Sequence, residues 1–367
     1  MRKKVLFMLS SMNIGGVEKS FLSFVSRLNP EKYDITLLLL DKKGGFLESV
    51  PSYVKVEECQ WFKEIKSILM NSPYDIIKRY KEKRRYFKII RFIFSYYMTK
   101  FTQNRLFYFK EMMKDVEKNI NSYDIVIAYS GPTEIIDYYV IDKVVAKKKI
   151  AWMHFDPTKV NMNRKLYSFL YKKYDKIFAV SEEGSEKLKS VFKESQDKIS
   201  IFKNILNPVL IKKMAEEKIE DIEIEESTLK IVTLGRLGKE KGQDLGIKAL
   251  QLLKGKGLKV KWYFIGDGLA RKEYEELVKN LKLEKEAIFL GNKLNPYSYI
   301  KMADIYVQTS RHEGYCIALA EAKILNKKIV TTIFTGASEQ LKDYEEAIIC
   351  QAKEEEIYKG ILELINQ

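Results

Sequence analysis

QTSRHEGYCIALAEAKILNKKIVTTIFTGASEQL, residues 308–341, contains a strand end, a polar corner, a helix and a second strand. It begins at the end of a strand, residues 304–310. Residues 311–314 turn the chain, a helix is expected from about Tyr315 to Leu325, and residues 328–332 form the next strand. In a parallel α/β sheet, ligands bind beyond the carboxyl ends of strands, where helices begin. A helix start offers free N–H groups and partial positive charge to an anion. Gly314 lets the backbone come close to a ligand. Glu313 and Glu321 are a little over two helical turns apart, so they share one face, one at the helix mouth and one inside it. Two carboxylates beside an anion-friendly helix end fit a ligand with both hydroxyls and phosphate, such as a nucleotide sugar. The plainer alternative is that Glu313 caps the helix and Glu321 is a solvated helix residue.

The same alternation extends outward. Residues 5–9 read as a buried parallel strand. The loop 10–16 ends in two glycines, and Val17 to Leu22 opens a helix. That turn is either an anion pocket or only a tight strand-to-helix corner. Further strands are expected at 34–40, 53–56, 124–129, 149–154, 176–180 and 198–202. Periodicity stops at Asn204–Pro208, and a charged stretch follows. A second series opens at 229–234 and continues at 260–265, 287–290, 305–309, 328–332 and 347–350. Two successive βα series predict two Rossmann-like domains, 1–206 and 229–367, joined by a linker at 207–228, with the ligand in the cleft between them. In the second domain Gly235-Arg236 with Lys241-Gly242, Gly266-Asp267-Gly268, Gly291–Leu294, Arg311–Gly314 and Thr335–Glu339 all follow strand ends. Arg236, a planar fork, and Lys241, a point charge, can both address a diphosphate.

Composition narrows the class. A chain of 367 residues with 46% apolar and 31% charged residues is an ordinary globular sequence, long enough for two cores. Three scattered cysteines, Cys59, Cys316 and Cys350, give neither a disulfide framework nor a zinc spacing, and a reducing, cytoplasmic setting fits. The apolar run after the basic N-terminus is too short for a signal peptide and reads as a first strand. The formal charge of +15 favours an anionic surface, nucleic acid or acidic lipid.

GRLGKEKG at 235–242, FIGDG at 264–268, FLGNK at 289–293 and HEGYCIALAEA at 312–322 resemble, in that order, the signature blocks of the GT-B retaining glycosyltransferases of family 4 (glycosyl transferases group 1), of the bacterial polysaccharide and cell-surface glycan type. The last block carries a Glu-x7-Glu motif. GGVEKSF at 15–21, the strand end at His154, FAVSE at 178–182 and NILNP at 204–208 resemble blocks of the family's first domain. The resemblance implies an α/β GT-B fold, two Rossmann-like domains facing each other across a cleft. It implies a hexosyltransferase that moves sugar from a nucleotide-diphosphate sugar to a glycan or lipid-linked acceptor with retention of configuration. Arg236 and Lys241 would hold the donor diphosphate, and Glu321 the ribose hydroxyls. Glu313 and the backbone N–H groups of Gly314, Tyr315, Cys316 and Ile317 would hold sugar hydroxyls and phosphate. Gly16 would face the phosphate from the other domain, and His154 would lie near the reacting sugar. Gly235, Gly266, Gly268, Lys293 and Leu294 complete the implied donor-binding set. No Asp-x-Asp occurs, in keeping with a site that needs no metal or cofactor and uses Arg and Lys in place of a cation. The chain departs from the family at Tyr315-Cys316, where an aromatic-Gly pair is more usual. It also ends at Gln367, where members continue into a helix that crosses back to the first domain.

Two other readings compete: a nucleotide-sugar epimerase of the same architecture, and a nucleic-acid-binding protein suggested by charge alone. No nucleic-acid-binding module is visible, and no nucleic-acid partner is expected. The resemblance does not cover residues 60–120, a basic, aromatic helical insertion. There Phe87, Ile90, Phe94 and Tyr97 recur at helical spacing, with Lys83, Arg84, Lys88 and Arg91 flanking or opposing them. The stripe either lies on an anionic membrane, placing the protein peripherally on the inner face, or packs on its own domain.

Overall fold

The computed structural model describes all residues except Ile224, Glu226 and Gln367. The linker expected at 207–228 and the second domain expected to end at 367 therefore fall partly outside the described residues. The chain divides into two compact units. The first comprises Met1–Asn13, Val25–Val180 and Ser185–Phe202; the second comprises Ile14–Phe24, Ser181–Gly184 and Lys203–Gln367.

Among the described residues the first unit carries a seven-stranded sheet: β1 (Lys3–Leu9), β2 (Tyr33–Leu39), β3 (Val54–Glu58), β4 (Ser122–Gly131), β5 (Val145–Met153), β6 (Lys176–Ala179) and β7 (Ile199–Ile201). All pairs are parallel, in the order β3-β2-β1-β4-β5-β6-β7. Parallel strands covered on both faces carry continuous apolar runs, which is why β1 and β2 were readable from their leucines. Four helices stand in the predicted insertion: Phe62–Met70, Pro73–Glu82, Tyr86–Thr102 and Leu106–Met112. The buried side of Tyr86–Thr102 carries Phe92 and Ser95, and the Phe92 ring meets those of Tyr80, Tyr96 and Tyr108. Phe87, Ile90, Phe94 and Tyr97 are exposed, so the reading in which this stripe packs on its own domain is not what the structure shows. Of the four basic residues expected to flank or oppose the stripe, Lys88 and Arg91 are ion-paired with Asp115 and Glu111, and Lys83 and Arg84 form no ion pair among the described residues.

The second unit has a six-stranded parallel sheet among the described residues: β8 (Leu229–Leu234), β9 (Val260–Ile265), β10 (Ala287–Gly291), β11 (Ile305–Gln308), β12 (Lys328–Thr332) and β13 (Ala347–Cys350). Their order is β10-β9-β8-β11-β12-β13. Successive residues of a strand point to opposite faces. Ile231, Trp262, Phe264 and Val307 accordingly join one core, and Val232, Tyr263, Ile265 and Tyr306 the other. Within the expected linker, Pro208–Ala215 is a helix. Asn207 caps it by accepting from the Leu210 N–H, and Pro208 stands at its first position, a combination that starts helices as readily as it ends strands. Its Ile211 and Ala215 are buried in the second core.

Candidate active site

Strand order in the second unit reverses between β8 and β11, which are hydrogen-bonded neighbours. Such a switch point opens a crevice at the carboxyl ends of the two strands, because the connections leave in opposite directions. Gly235 and Arg236 follow β8, and Thr309 to Glu313 follow β11, so two of the five loops singled out in the sequence stand at this switch point.

The short turn Lys239–Lys241 folds back onto the end of β11. Gly242 makes this possible: its φ is +65°, and a Cβ there would stand 2.2 Å from the Thr309 carbonyl oxygen. Thr309 Oγ1 donates to the Lys241 carbonyl at 2.8 Å, and the Arg311 N–H to the Glu240 carbonyl at 2.8 Å. Lys241 is thereby aimed inward, and its Nζ donates to Glu313 Oε1 at 2.5 Å. Ser310 Oγ donates to the same oxygen at 2.8 Å. Burial works against the Lys241 charge, but the Glu313 carboxylate outweighs it and holds the lysine pKa above its ordinary value. Arg236, in the same loop, is largely exposed, with Nη2 donating to Glu240 Oε1 at 2.6 Å. The FIGDG turn packs on the same loop, since a Cβ on Gly266 (φ +132°) would meet the Gly235 carbonyl oxygen at 2.1 Å. Gly268 is equally close to Leu237.

The helix of the opening motif is Ile317–Ile324, two residues later at its start than expected, because Cys316 is extended (φ −75°, ψ 101°) and serves as N-cap. No side chain caps this end, and Tyr315, Cys316 and Ile317 present the first-turn backbone. Cys316 is buried, which raises its thiol pKa above the ordinary range. Glu313 does not cap the helix, and Glu321 is 1% exposed rather than solvated, so the plainer reading of both carboxylates is overturned. Glu321 Oε1 accepts from Tyr297 Oη at 3.0 Å and pairs with Lys19 Nζ at 2.6 Å, while its Oε2 has no partner among the described residues. That oxygen is an acceptor not used by the chain's own described groups.

Lys19 was not singled out in the sequence. It lies in the helix Gly16–Val25, on the segment assigned to the second unit, with its ammonium 4.4 Å from the Tyr297 ring centre. Gly16 begins this helix, and a Cβ there would come within 3.8 Å of Ile317 Cδ1. Burial pushes the Glu18 carboxyl up to about 7, against the opposing effects of a backbone hydrogen bond and the Arg236 charge. Ser181 Oγ donates to the Gly314 carbonyl at 3.0 Å, fixing the polar corner. The double glycine marked this segment in the sequence, but nothing local marked Lys19, Tyr297 or Ser181 as its partners.

Not every expected residue joins this cluster. Lys293 pairs with Asp221 and lies over the Tyr299 ring, and Leu294 is exposed. His154 belongs to the first unit, just after β5, buried against Tyr129 and Trp152. Burial lowers its pKa to about 3, so the ring is neutral. It is hydrogen-bonded to the Tyr129 backbone, and its Nε2 has no partner among the described residues. A cavity of about 1020 Å³ in the first unit, lined by Glu57, Trp61, Arg79, Glu111 and neighbours of both charges, contains none of the candidate residues. Among the described residues no three His, Cys, Asp or Glu side chains are grouped as metal ligands.

Residues 214–367 match the model of the family described as glycosyl transferases group 1. A glycosyltransferase of uncharacterized activity from Methanocaldococcus jannaschii, MJ1059, is 25% identical over 224 residues, 57% of this chain and 55% of that one. N-acetylgalactosamine-N,N'-diacetylbacillosaminyl-diphospho-undecaprenol 4-alpha-N-acetylgalactosaminyltransferase of Campylobacter jejuni is 29% identical over 207 residues, 56% of this chain and 54% of that one. The chain thus matches these curated relatives over about half their length. Anabaena HepE, solved with UDP and glucose, superposes with a TM-score of 0.69 at 16% identity, over 100% of this chain and 90% of that one. Staphylococcus aureus TarM superposes with a TM-score of 0.66 at 12% identity, over 100% and 93%. The chain has the α/β two-domain GT-B fold.

Proposed function

We propose that the protein is a retaining glycosyltransferase. It moves a hexose from a nucleotide-diphosphate sugar to a glycan or lipid-linked acceptor of a cell-surface polysaccharide pathway, on the cytoplasmic side of a membrane. The observation that carries this reading is the convergence of Lys241, Glu313 and Arg236 at the switch point, beside the open helix start at Cys316 and the half-used carboxylate of Glu321. Breaking the sugar–phosphate bond leaves a nucleoside diphosphate with added negative charge, and fixed cations stabilise that charge most as the bond breaks. Arg236 and Lys241 supply those cations, so no metal is needed. Glu313 holds sugar hydroxyls and positions Lys241, and Glu321 takes the ribose hydroxyls on its free oxygen. The backbone from Gly314 to Ile317 and the glycines at 16, 235, 266 and 268 let phosphate and sugar approach closely. Lys293 and Leu294 are assigned to the nucleoside side of the donor. His154 Nε2 is assigned as acceptor for a sugar hydroxyl. A lipid-linked acceptor agrees with the diphospho-undecaprenol substrate in the Campylobacter relative's name.

The test is to supply nucleotide sugars with and without candidate acceptors, in EDTA, and follow nucleoside diphosphate release. Release that depends on acceptor, with the anomeric configuration retained by NMR, supports the reading; donor turnover to an isomeric sugar without acceptor supports an epimerase instead. Arg236→Ala is expected to lower kcat about a hundredfold, as for loss of a charged transition-state contact, with little change in melting temperature because the side chain is exposed. Unchanged turnover would remove Arg236 from the site.

Glu18 makes binding depend on pH. In the folded chain its carboxyl is neutral below about 7 and ionised above it. Ionised, it offsets part of the Arg236 charge that an incoming diphosphate needs. UDP binding followed by calorimetry is expected to weaken as pH rises through about 7, and to lose that slope in Glu18→Gln. The same raised pKa means that the folded state binds the proton more tightly than the unfolded chain, so this group's contribution to stability falls between about 4.5 and 7. An identical slope in Glu18→Gln would assign the pH dependence elsewhere.

A further inference from the structure

We propose that the exposed face of the helix Tyr86–Thr102 is a docking surface for an anionic lipid bilayer. Phe87, Ile90, Phe94, Tyr97 and Phe101 are spaced three and four residues apart, which at about 100° per residue confines them to an arc of roughly 80°. Each is between 64% and 89% exposed. The opposite side of the helix is already committed, with Phe92 held among three aromatic rings. Single exposed apolar residues are ordinary, but a continuous row of five large ones marks an interaction surface.

Charge selects the partner. Residues 78–110 hold eleven Lys and Arg and one acidic residue, Glu82. Lys88 and Arg91 are neutralised within the unit. Lys83, Arg84 and Arg85, at the start of the stripe, are exposed and form no ion pair among the described residues, and Arg84 turns the chain there in a left-handed conformation (φ +53°). Exposed Lys100 lies at the far end, its ammonium 4.7 Å from the Tyr96 ring centre. The stripe is therefore cationic at both ends. Two copies packed face to face would set like charges against each other in either orientation. An anionic headgroup layer complements both ends at once, while the rings enter the acyl boundary. Each basic residue near such a surface strengthens binding about fivefold. The proposal stands whether or not the donor site acts as proposed above.

The experiment is vesicle flotation of the full chain, with phosphatidylcholine alone and with phosphatidylcholine mixed with phosphatidylglycerol, at low and high salt. Binding is expected only to the anionic vesicles and is expected to weaken with salt. Phe87→Ser with Phe94→Ser, and separately Lys83→Glu with Arg84→Glu and Arg85→Glu, are each expected to reduce it more than about tenfold with the wild-type melting temperature retained. Equal binding to neutral vesicles, or undiminished binding in either variant, overturns the proposal. So does a wild-type dimer that fails to float and becomes monomeric in the phenylalanine variant, which would assign the stripe to a second copy.

Discussion

Lys241→Ala is expected to lower kcat by about a hundred- to a thousandfold, the range for removing one preorganised charge from a developing anion. It is also expected to destabilise the fold, by about 3 kcal/mol if Glu313 is left uncompensated in its low-dielectric setting. The two effects can be separated. Lys241→Met combined with Glu313→Gln removes both charges while keeping side-chain bulk and the acceptor for Ser310. Its melting temperature should recover toward wild type, because replacing a paired charge set with neutral groups is far less costly than breaking it. Turnover should stay low, because the cation facing the leaving group is still missing. If the double variant regained turnover along with stability, the pair would be a structural strut and the catalytic role of Lys241 would be refuted. Glu313→Gln alone should lower kcat more than it raises KM, since contacts to the reacting sugar tighten as the bond breaks.

The second large effect is expected at Glu321. Glu321→Ala should raise the Kd for UDP and the KM for donor about ten- to a hundredfold, as for loss of hydrogen bonds to a charged group. It should leave kcat nearly unchanged, because ribose contacts are the same in ground and transition states. Glu321→Gln keeps an acceptor for Tyr297 Oη and serves as the folding control, with a smaller loss of affinity. Titration calorimetry gives the Kd directly. A falling melting temperature with an unchanged UDP affinity would make Glu321 only an anchor for Lys19 and Tyr297.

The strands were legible because each is a short apolar run bounded by turn residues, and the second unit's loops because their glycines and charges stand directly at strand ends. Helix Ile317–Ile324 was legible to within two residues, the error arising where Cys316 leaves helical geometry without a capping side chain to announce it. Asn207-Pro208 marked the end of the first strand series, and the same dipeptide also starts the helix Pro208–Ala215. In the insertion, periodicity separated the exposed stripe from Phe92. It could not show that Lys88 and Arg91 would meet Asp115 and Glu111, because those acids come from residues beyond the helix that the fold returns to it.

What the sequence determined by itself is what depends on near neighbours: the parallel α/β class, the glycine turns, a helix start to within two residues, and the placing of Arg236 and Lys241 after a strand end. What only the tertiary structure decided is pairing between distant residues. Lys241 meets Glu313 across 72 residues, and Lys19 meets Glu321 from the opposite end of the chain. Periodicity decides which face of an element a side chain occupies. Which other side chain waits there is set by strand order and loop closure, and in this chain the reversal between β8 and β11 brings the charges together.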